Sequence, residues 1–246
     1  MSISTAVIAN FDRDQHNAIR LMNHCLPMIQ HGMSETAVIE LFEEHVASFG
    51  FLGFLRRPVV HFDHRPTFRW GPSSNRILTK GAVVQLHIQP YSNEAFGNTG
   101  VSFTFDAPTI PIVTKARDLC IATSTFAGHT KKSGELIVFA QSWATNHRTE
   151  LDQESIGHFC FPNSNAGLFG QLWPNSMRGL TQLRRYQLQW FNPRPLDGIY
   201  AIHPDIRQDN RRLGFAELLL VTPEERRVLG RESMTDICTF IGAPTR

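Results

Sequence analysis

The first fifty residues carry apolar side chains at helical spacing. Ala18, Leu21, Met22, Cys25 and Leu26 recur at intervals of three and four residues, which places them on one face of an amphipathic helix.

A second helix is predicted from Ser34 to about Ala47. The Ser34 hydroxyl can accept a hydrogen bond from the first helical turn and so cap the helix. A capping box would require glutamate or glutamine three residues later, but Ala37 stands there, so we expect a simple cap.

Between residues 59 and 105 the pattern changes to short β-branched and aromatic runs broken by proline, glycine and asparagine, which is typical of strands joined by turns. The predicted strands are PVVHF (58–62), AVVQLHI (82–88) and GVSFTF (100–105). Helices are predicted at 115–126 and 133–143, and an extended loop at 163–195, where glycine, proline and asparagine are frequent. This mixture of elements predicts an α+β protein.

Composition limits the partners. A chain of 246 residues can bury one large core, so we expect a single domain over residues 1–246. The formal net charge of +2 is too small to indicate a nucleic-acid partner. The run RRYQLQW at 184–190 is better explained by a solvated helix face or a strand than by nucleic-acid binding.

No apolar run approaches the roughly 18 residues of a membrane helix, and the N-terminus lacks the regions of a signal peptide. We therefore expect a cytoplasmic protein without a membrane partner. Its cysteines are widely spaced and contain no CxxC pair, which favours reduced thiols; they are Cys25, Cys120, Cys160 and Cys238. Cys160 lies two residues from His158, and we expect it to be a buried small side chain rather than a nucleophile.

Several segments resemble the sequence signals of one metallopeptidase family. PMIQHGMSE (27–35) resembles i.pGmsE, LTKGAVVQLHIQP (78–90) resembles l..GD.v.iD.gp, and FGNTGVSF (96–103) resembles gy..D.gRTf. SIGHFCFP (155–162) resembles GHgiG without its glycine-rich remainder, and residues 195–221 resemble l..Gmv.tiEPgi......Gvr.Ed..lv.

The family is that of methionine aminopeptidase, aminopeptidase P, prolidase and creatinase. The resemblance runs from about Asn17 to Gly230 and covers the catalytic domain. It implies the pita-bread fold, a curved antiparallel sheet covered by helices, and it implies homodimerisation.

The resemblance also implies metal ligands at five positions, most of which are carboxylates in the family. His87 and Asn98 stand at the two aspartate positions, with the family's separation of 11 residues (98 − 87). His158 stands at the metal histidine, His203 at the first glutamate, and Glu217 at the second. These five are the predicted metal ligands, and His158 and Glu217 are also the predicted catalytic residues.

The substitutions change the chemistry that the site allows. A two-metal hydrolase needs carboxylates that bridge both ions, and one carboxylate among five positions argues against a binuclear site. Three imidazoles and a glutamate suit a single transition-metal ion, iron foremost, with manganese, copper, nickel or zinc as alternatives. Asn98 is then a weak fifth ligand or a hydrogen-bond partner of a histidine. The alternative at each position is an ordinary core or surface side chain.

Five further residues are predicted to contact a substrate. The family's peptidases use an accessory histidine seven residues after the metal histidine, where Asn165 stands, which argues against ordinary peptide hydrolysis. The second accessory histidine falls near Arg69 and Trp70, which can bind a carboxylate and stack on an apolar group. His61 and His64 lie several residues upstream, and plain surface placement is the alternative for both.

Three functions fit these positions. The first, which the imidazole substitutions favour, is a mononuclear non-haem oxidase or oxygenase acting on a small amino-acid-derived molecule in specialised metabolism, with one metal ion per chain. The second is a hydrolase of a non-peptide C–N bond resembling creatinase, whose turnover survives chelators and in which His158 is acid or base. The third is a catalytically silent binding protein, with neither metal nor turnover.

Overall fold

The structure is a computed structural model and describes residues 3–63, 73–152, 156–160, 188–189, 195–208 and 211–230. The α-helices are α1 Thr5–Cys25, α2 Glu35–His45, α3 Pro111–Ala127 and α4 Ser133–Asn146. The strands are β1 Gly53–Phe54, β2 Val59–Phe62, β3 Val83–Ile88, β4 Pro90–Tyr91, β5 Thr99–Thr104, β6 Glu150–Leu151, β7 Gly157–Phe159, β8 Gly198–Ile202, β9 Asp205–Gln208, β10 Arg211–Gly214, β11 Glu217–Val221 and β12 Arg226–Val228.

The predicted helices are confirmed, and the structure extends three of them. The Ser34 side chain accepts a hydrogen bond from the Ala37 backbone N–H at 3.0 Å, so the simple cap of α2 is confirmed. Helix α1 begins at Thr5, well before its apolar stripe. Helix α3 begins at Pro111, because proline's fixed φ and missing N–H suit the first helical position.

The three strands predicted between residues 59 and 105 form one antiparallel sheet in the order β2-β3-β5. Along β3, Val84, Leu86 and Ile88 point to one face and belong to the main hydrophobic core. Gln85 and His87 alternate with them and point to the opposite face, although both are also buried. This sheet therefore has a polar face that is shielded from water.

A four-stranded antiparallel sheet has the order β12-β11-β8-β7. It is linked to the first sheet through Gly100 and Ala216, whose backbones exchange hydrogen bonds of 2.9 and 3.2 Å. A three-stranded sheet, β10-β9-β6, and the β1-β4 pair complete the described strands. The link at Gly100 brings the C-terminal strands beside the polar face of the first sheet.

The described cysteines Cys25, Cys120 and Cys160 are buried and unbridged, which confirms the expectation for these three; Cys238 lies outside the described residues. Burial raises the pKa of the Cys160 thiol, in keeping with a small core side chain. In the described part of the chain, no helix is long and apolar enough to cross a membrane. The single domain over residues 1–246 stays a prediction.

Candidate active site

His158 and His203 lie side by side. Their ring centroids are 5.7 Å apart, with the ring planes inclined at 56°. His158 pairs with Ala201 in the β7-β8 register, and His203 comes two residues after Ala201, so both side chains point to the same face of the sheet. The His203 backbone N–H donates to the Ile156 carbonyl at 2.8 Å, which continues the pairing beyond the end of β8.

The hydrogen bond of His158 assigns its tautomer. Its Nδ1 lies 3.2 Å from the Phe159 carbonyl oxygen, which can only accept. The proton is therefore on Nδ1 in the neutral ring, and Nε2 carries the lone pair. The imidazole is half-buried.

His87 and Asn98, the two residues 11 positions apart, are in direct contact. His87 Nε2 lies 2.7 Å from Asn98 Oδ1, and Gln89 Nε2 donates to the same oxygen at 3.0 Å. Because that oxygen accepts from both, the His87 proton is on Nε2. The Asn98 Nδ2 group is buried, and it has no hydrogen-bond partner within the described ranges.

Gln15 of α1 holds the backbone on which Asn98 stands. Its Oε1 accepts from the Asn98 N–H at 2.7 Å, and its Nε2 donates to the Asn98 carbonyl at 3.1 Å. All of these groups are buried. The sequence pattern did not single out Gln15, because a polar residue on a helix normally indicates the solvent side.

Gly100 explains how His87 and the C-terminal strands meet. It pairs with His87 across β3 and β5 and forms the bridge to Ala216. A Cβ atom at Gly100 would lie 3.0 Å from His87 Cδ2 and 2.9 Å from the Ala216 Cβ. His87 and Ala216 therefore share one side of the joined sheets, and only glycine lets them approach so closely.

Glu217 points to the other face of β11. Leu218 and Leu220 pack in a cluster with Ala201, on the face that carries the imidazoles, whereas Leu219 and Val221 pack in the main core with α3. Glu217 alternates with Leu218 and so shares the α3 face. There the Ser124 hydroxyl of α3 donates a hydrogen bond to Glu217 Oε1.

Ala216, and not Glu217, thus stands on the imidazole side of β11. We call this side, with His87, Asn98, His158 and His203, the imidazole face. Within the described residues, no group of three or more histidine, cysteine, aspartate or glutamate side chains is arranged to hold a metal ion. The predicted set of metal ligands stays a prediction, and the described geometry does not supply its carboxylate.

His61 is buried and lies on β2 opposite Gln85. Because Gln85 and His87 share a face of β3, His61 points to the same side of the sheet as His87. That His61 contacts a substrate stays a prediction. The predicted substrate residues His64, Arg69, Trp70 and Asn165 lie outside the described residues, as does most of the loop predicted at 163–195.

A partly buried cluster of Arg212, Asp152 and Asp205 holds the segment that follows His203. Arg212 Nη2 lies 3.2 Å from Asp205 Oδ2, and Arg212 Nε lies 2.6 Å from Asp152 Oδ2. Burial raises the pKa of Asp152, and the Arg212 charge acts against that rise. A Cβ atom at Gly214 would lie 1.8 Å from Asp205 Oδ1, so glycine is required opposite Asp205.

No protein-family model and no curated protein matches this sequence. Solved structures do match. The X-Pro aminopeptidase of Thermotoga maritima superposes with a TM-score of 0.73 at 15% identity over 94% of this chain and 62% of that one. The prolidase of Pyrococcus horikoshii gives 0.72 at 13% identity over 92% and 62%. The N-terminal domain of the FACT complex subunit SPT16 from chickpea gives 0.69 at 11% identity over 93% and 58%.

These likenesses show the fold. The protein has the α+β pita-bread fold of prolidases and X-Pro aminopeptidases, as the sequence resemblance implied. It spans less than two thirds of the length of these neighbours. Activity lies in the site and not in the fold, so the altered positions decide the function.

Proposed function

We propose that this protein hydrolyses a C–N bond in a small amino-acid-derived molecule and uses His158 and His203 as its proton-transfer groups. The observation that carries the proposal is the pair of imidazole rings 5.7 Å apart, of which His203 is buried and His158 is half-buried. Two of the named fold neighbours, an X-Pro aminopeptidase and a prolidase, are peptidases and give hydrolysis as the general reaction class.

Two adjacent imidazoles suit acid–base chemistry near neutral pH. In such a pair one ring can accept a proton while the other ring donates one. His158 takes a proton from water at Nε2 while the water oxygen adds to the carbon of the C–N bond. The C–N bond then breaks, and His203 gives a proton to the departing nitrogen. Each positioned group contributes roughly 10²- to 10⁴-fold to the rate.

Asn98 supplies a binding group for the substrate. Its Oδ1 is occupied by His87 and Gln89, which directs its NH₂ group elsewhere. A buried donor without a partner among the described residues costs free energy unless an acceptor reaches it. We assign that acceptor to a carbonyl or carboxylate oxygen of the substrate, next to the C–N bond.

The iron-dependent oxidase favoured from sequence is not the function proposed from the structure. It required Glu217 beside the imidazoles, and Glu217 instead shares the α3 face and accepts from Ser124. The peptidase names of the neighbours give no support to an oxidoreductase. The creatinase-like alternative, in which His158 is acid or base, keeps its histidine chemistry.

Turnover tests the proposal. Purified protein is incubated with Xaa-Pro dipeptides, N-acyl amino acids and guanidino or ureido acids, and the released amine or ammonia is measured. We expect turnover of one class, and we expect His158→Asn and His203→Asn each to lower kcat roughly 10²-fold or more. His129→Asn is the matched control, because His129 is exposed near the end of α3.

Equal kcat values for the wild type, His158→Asn and His203→Asn would contradict the proposal. Oxygen consumption with added iron, and no amine release, would favour the oxidase instead. Binding without turnover of any class would favour a silent binding protein.

A further inference from the structure

A second histidine pair lies where α1 and α2 end. The ring centroids of His24 and His45 are 4.8 Å apart, and the ring planes are inclined at 50°. We propose that these two side chains form a surface site for a divalent transition-metal ion, separate from the imidazole face. The ion is completed by water, because the described residues offer no third histidine, cysteine, aspartate or glutamate ligand.

The spacing of the rings fits a shared ion. An ion bonded at about 2.0–2.1 Å to a ring nitrogen lies roughly 3.2 Å from the ring centre. Two centres 4.8 Å apart then subtend an angle of about 100° at the ion. This value lies between the right angle of adjacent ligands in square-planar copper and the tetrahedral angle of zinc.

The hydrogen bond of His45 assigns its tautomer. Its Nδ1 lies 2.9 Å from the Leu41 carbonyl oxygen, which can only accept, so the proton is on Nδ1 and the lone pair on Nε2. A histidine whose second nitrogen donates to a backbone carbonyl is the usual arrangement at protein metal sites, because that bond fixes both tautomer and ring orientation.

The C-terminal ends of the two helices favour a bound cation electrostatically. His24 lies in the last turn of α1, and His45 is the last residue of α2. The carbonyl ends of helices carry partial negative charge, which stabilises cations within the last turn. One nearby positive charge disfavours a bound cation. The Arg20 guanidinium lies over the Phe49 ring, and that ring also contacts His24.

This site is distant from the imidazole face. Gln15, which holds Asn98, and His24 are nine residues apart on α1, which is roughly 13 Å along the helix axis at 1.5 Å per residue. The two sites can therefore be loaded and removed independently. Metal that is found in the purified protein can then be bound at His24 and His45, where it takes no part in the reaction.

Copper(II) titration of the full chain tests the proposal, since copper binds imidazole most tightly in the divalent series. Isothermal titration gives the number of ions, and electron paramagnetic resonance gives the number of coupled nitrogens. We expect His24→Asn and His45→Asn each to remove the same one equivalent, or to weaken it at least tenfold. We expect His31→Asn, at another exposed histidine, to leave it unchanged.

A His87→Asn/His203→Asn variant should retain the same equivalent, with two nitrogens in its resonance spectrum. Unchanged binding in either His24→Asn or His45→Asn would overturn the proposal. Loss of the equivalent in the His87→Asn/His203→Asn variant would also overturn it, because the ion would then belong to the imidazole face. Circular dichroism of each variant verifies that the helices persist.

Discussion

Ala216 directly precedes Glu217, the first residue of β11, and the two side chains point to opposite faces of the sheet. The Ala216 backbone bonds to Gly100 beside His87, whereas Glu217 accepts a hydrogen bond from Ser124 of α3. The single carboxylate that the sequence offered as a metal ligand therefore has a structural partner in the helical layer. The chemistry of the imidazole face depends on imidazoles and amides.

Substitution of Glu217 should lower the free energy of unfolding and should leave metal binding unchanged. Glu217→Ala leaves the buried Ser124 hydroxyl without its acceptor, and we expect a loss of about 1–3 kcal/mol in the free energy of unfolding. In a double-mutant cycle with Ser124→Ala, the interaction energy between the two residues should account for most of that loss. Urea denaturation measures the energies. A metal equivalent that disappears in Glu217→Gln would contradict this role.

Gly100→Ala should destabilise the protein and disturb His87. The added Cβ would lie 2.9 Å from the Ala216 Cβ and 3.0 Å from His87 Cδ2, which overpacks the link between the sheets at a cost of about 1–3 kcal/mol. Gly100→Ala/Ala216→Gly removes one of the two clashes and should recover part of the stability. If the double variant is no more stable than Gly100→Ala, the proposed packing is wrong.

Asn98→Asp should weaken substrate binding. Aspartate keeps an oxygen that accepts from His87 and Gln89, but it has no N–H to donate to the substrate. We expect KM to rise about tenfold or more, which corresponds to the loss of one hydrogen bond of about 1.4 kcal/mol. Steady-state kinetics on the substrate class that turns over measures this. A lower KM in the variant would show that Asn98 does not bind a substrate oxygen by donation.

Cys25 should make the protein less stable at high pH. Burial raises the pKa of this thiol from 9.0 to about 12, so the folded state holds its proton after the unfolded state has released it. Stability is then full below pH 9 and falls as pH rises toward 12. Cys25→Ala should show a smaller alkaline loss in urea denaturation. Equal pH slopes in the two proteins would contradict the assignment.

The sequence predicted the fold better than the site. The apolar stripe through Ala18 and Leu21, the Ser34 cap and the runs around Val84 and Val101 all obey simple periodicities, and the structure confirms each element. His87 and Asn98, which the family spacing singled out together, are in contact in the structure. Regular spacing is what a single sequence displays most clearly.

The orientation of Glu217 was less accessible from the sequence. It precedes a run, LLLV, that is apolar on both faces of the strand, so the alternation that normally separates the two faces is hidden. The decisive contacts are long-range. Ser124 lies 93 residues from Glu217, and Gln15 lies 83 residues from Asn98, and neither distance is encoded in local pattern.

The most direct test of the central claim is amine release by wild-type protein after exhaustive dialysis against a chelator, with residual metal measured by elemental analysis. Because copper at His24 and His45 would complicate that analysis, the His24→Asn/His45→Asn variant is measured in parallel. We predict that kcat is unchanged by metal removal in both proteins. A kcat that falls with the metal content and returns on adding one equivalent of iron or zinc would contradict proton transfer by His158 and His203 as the basis of the reaction.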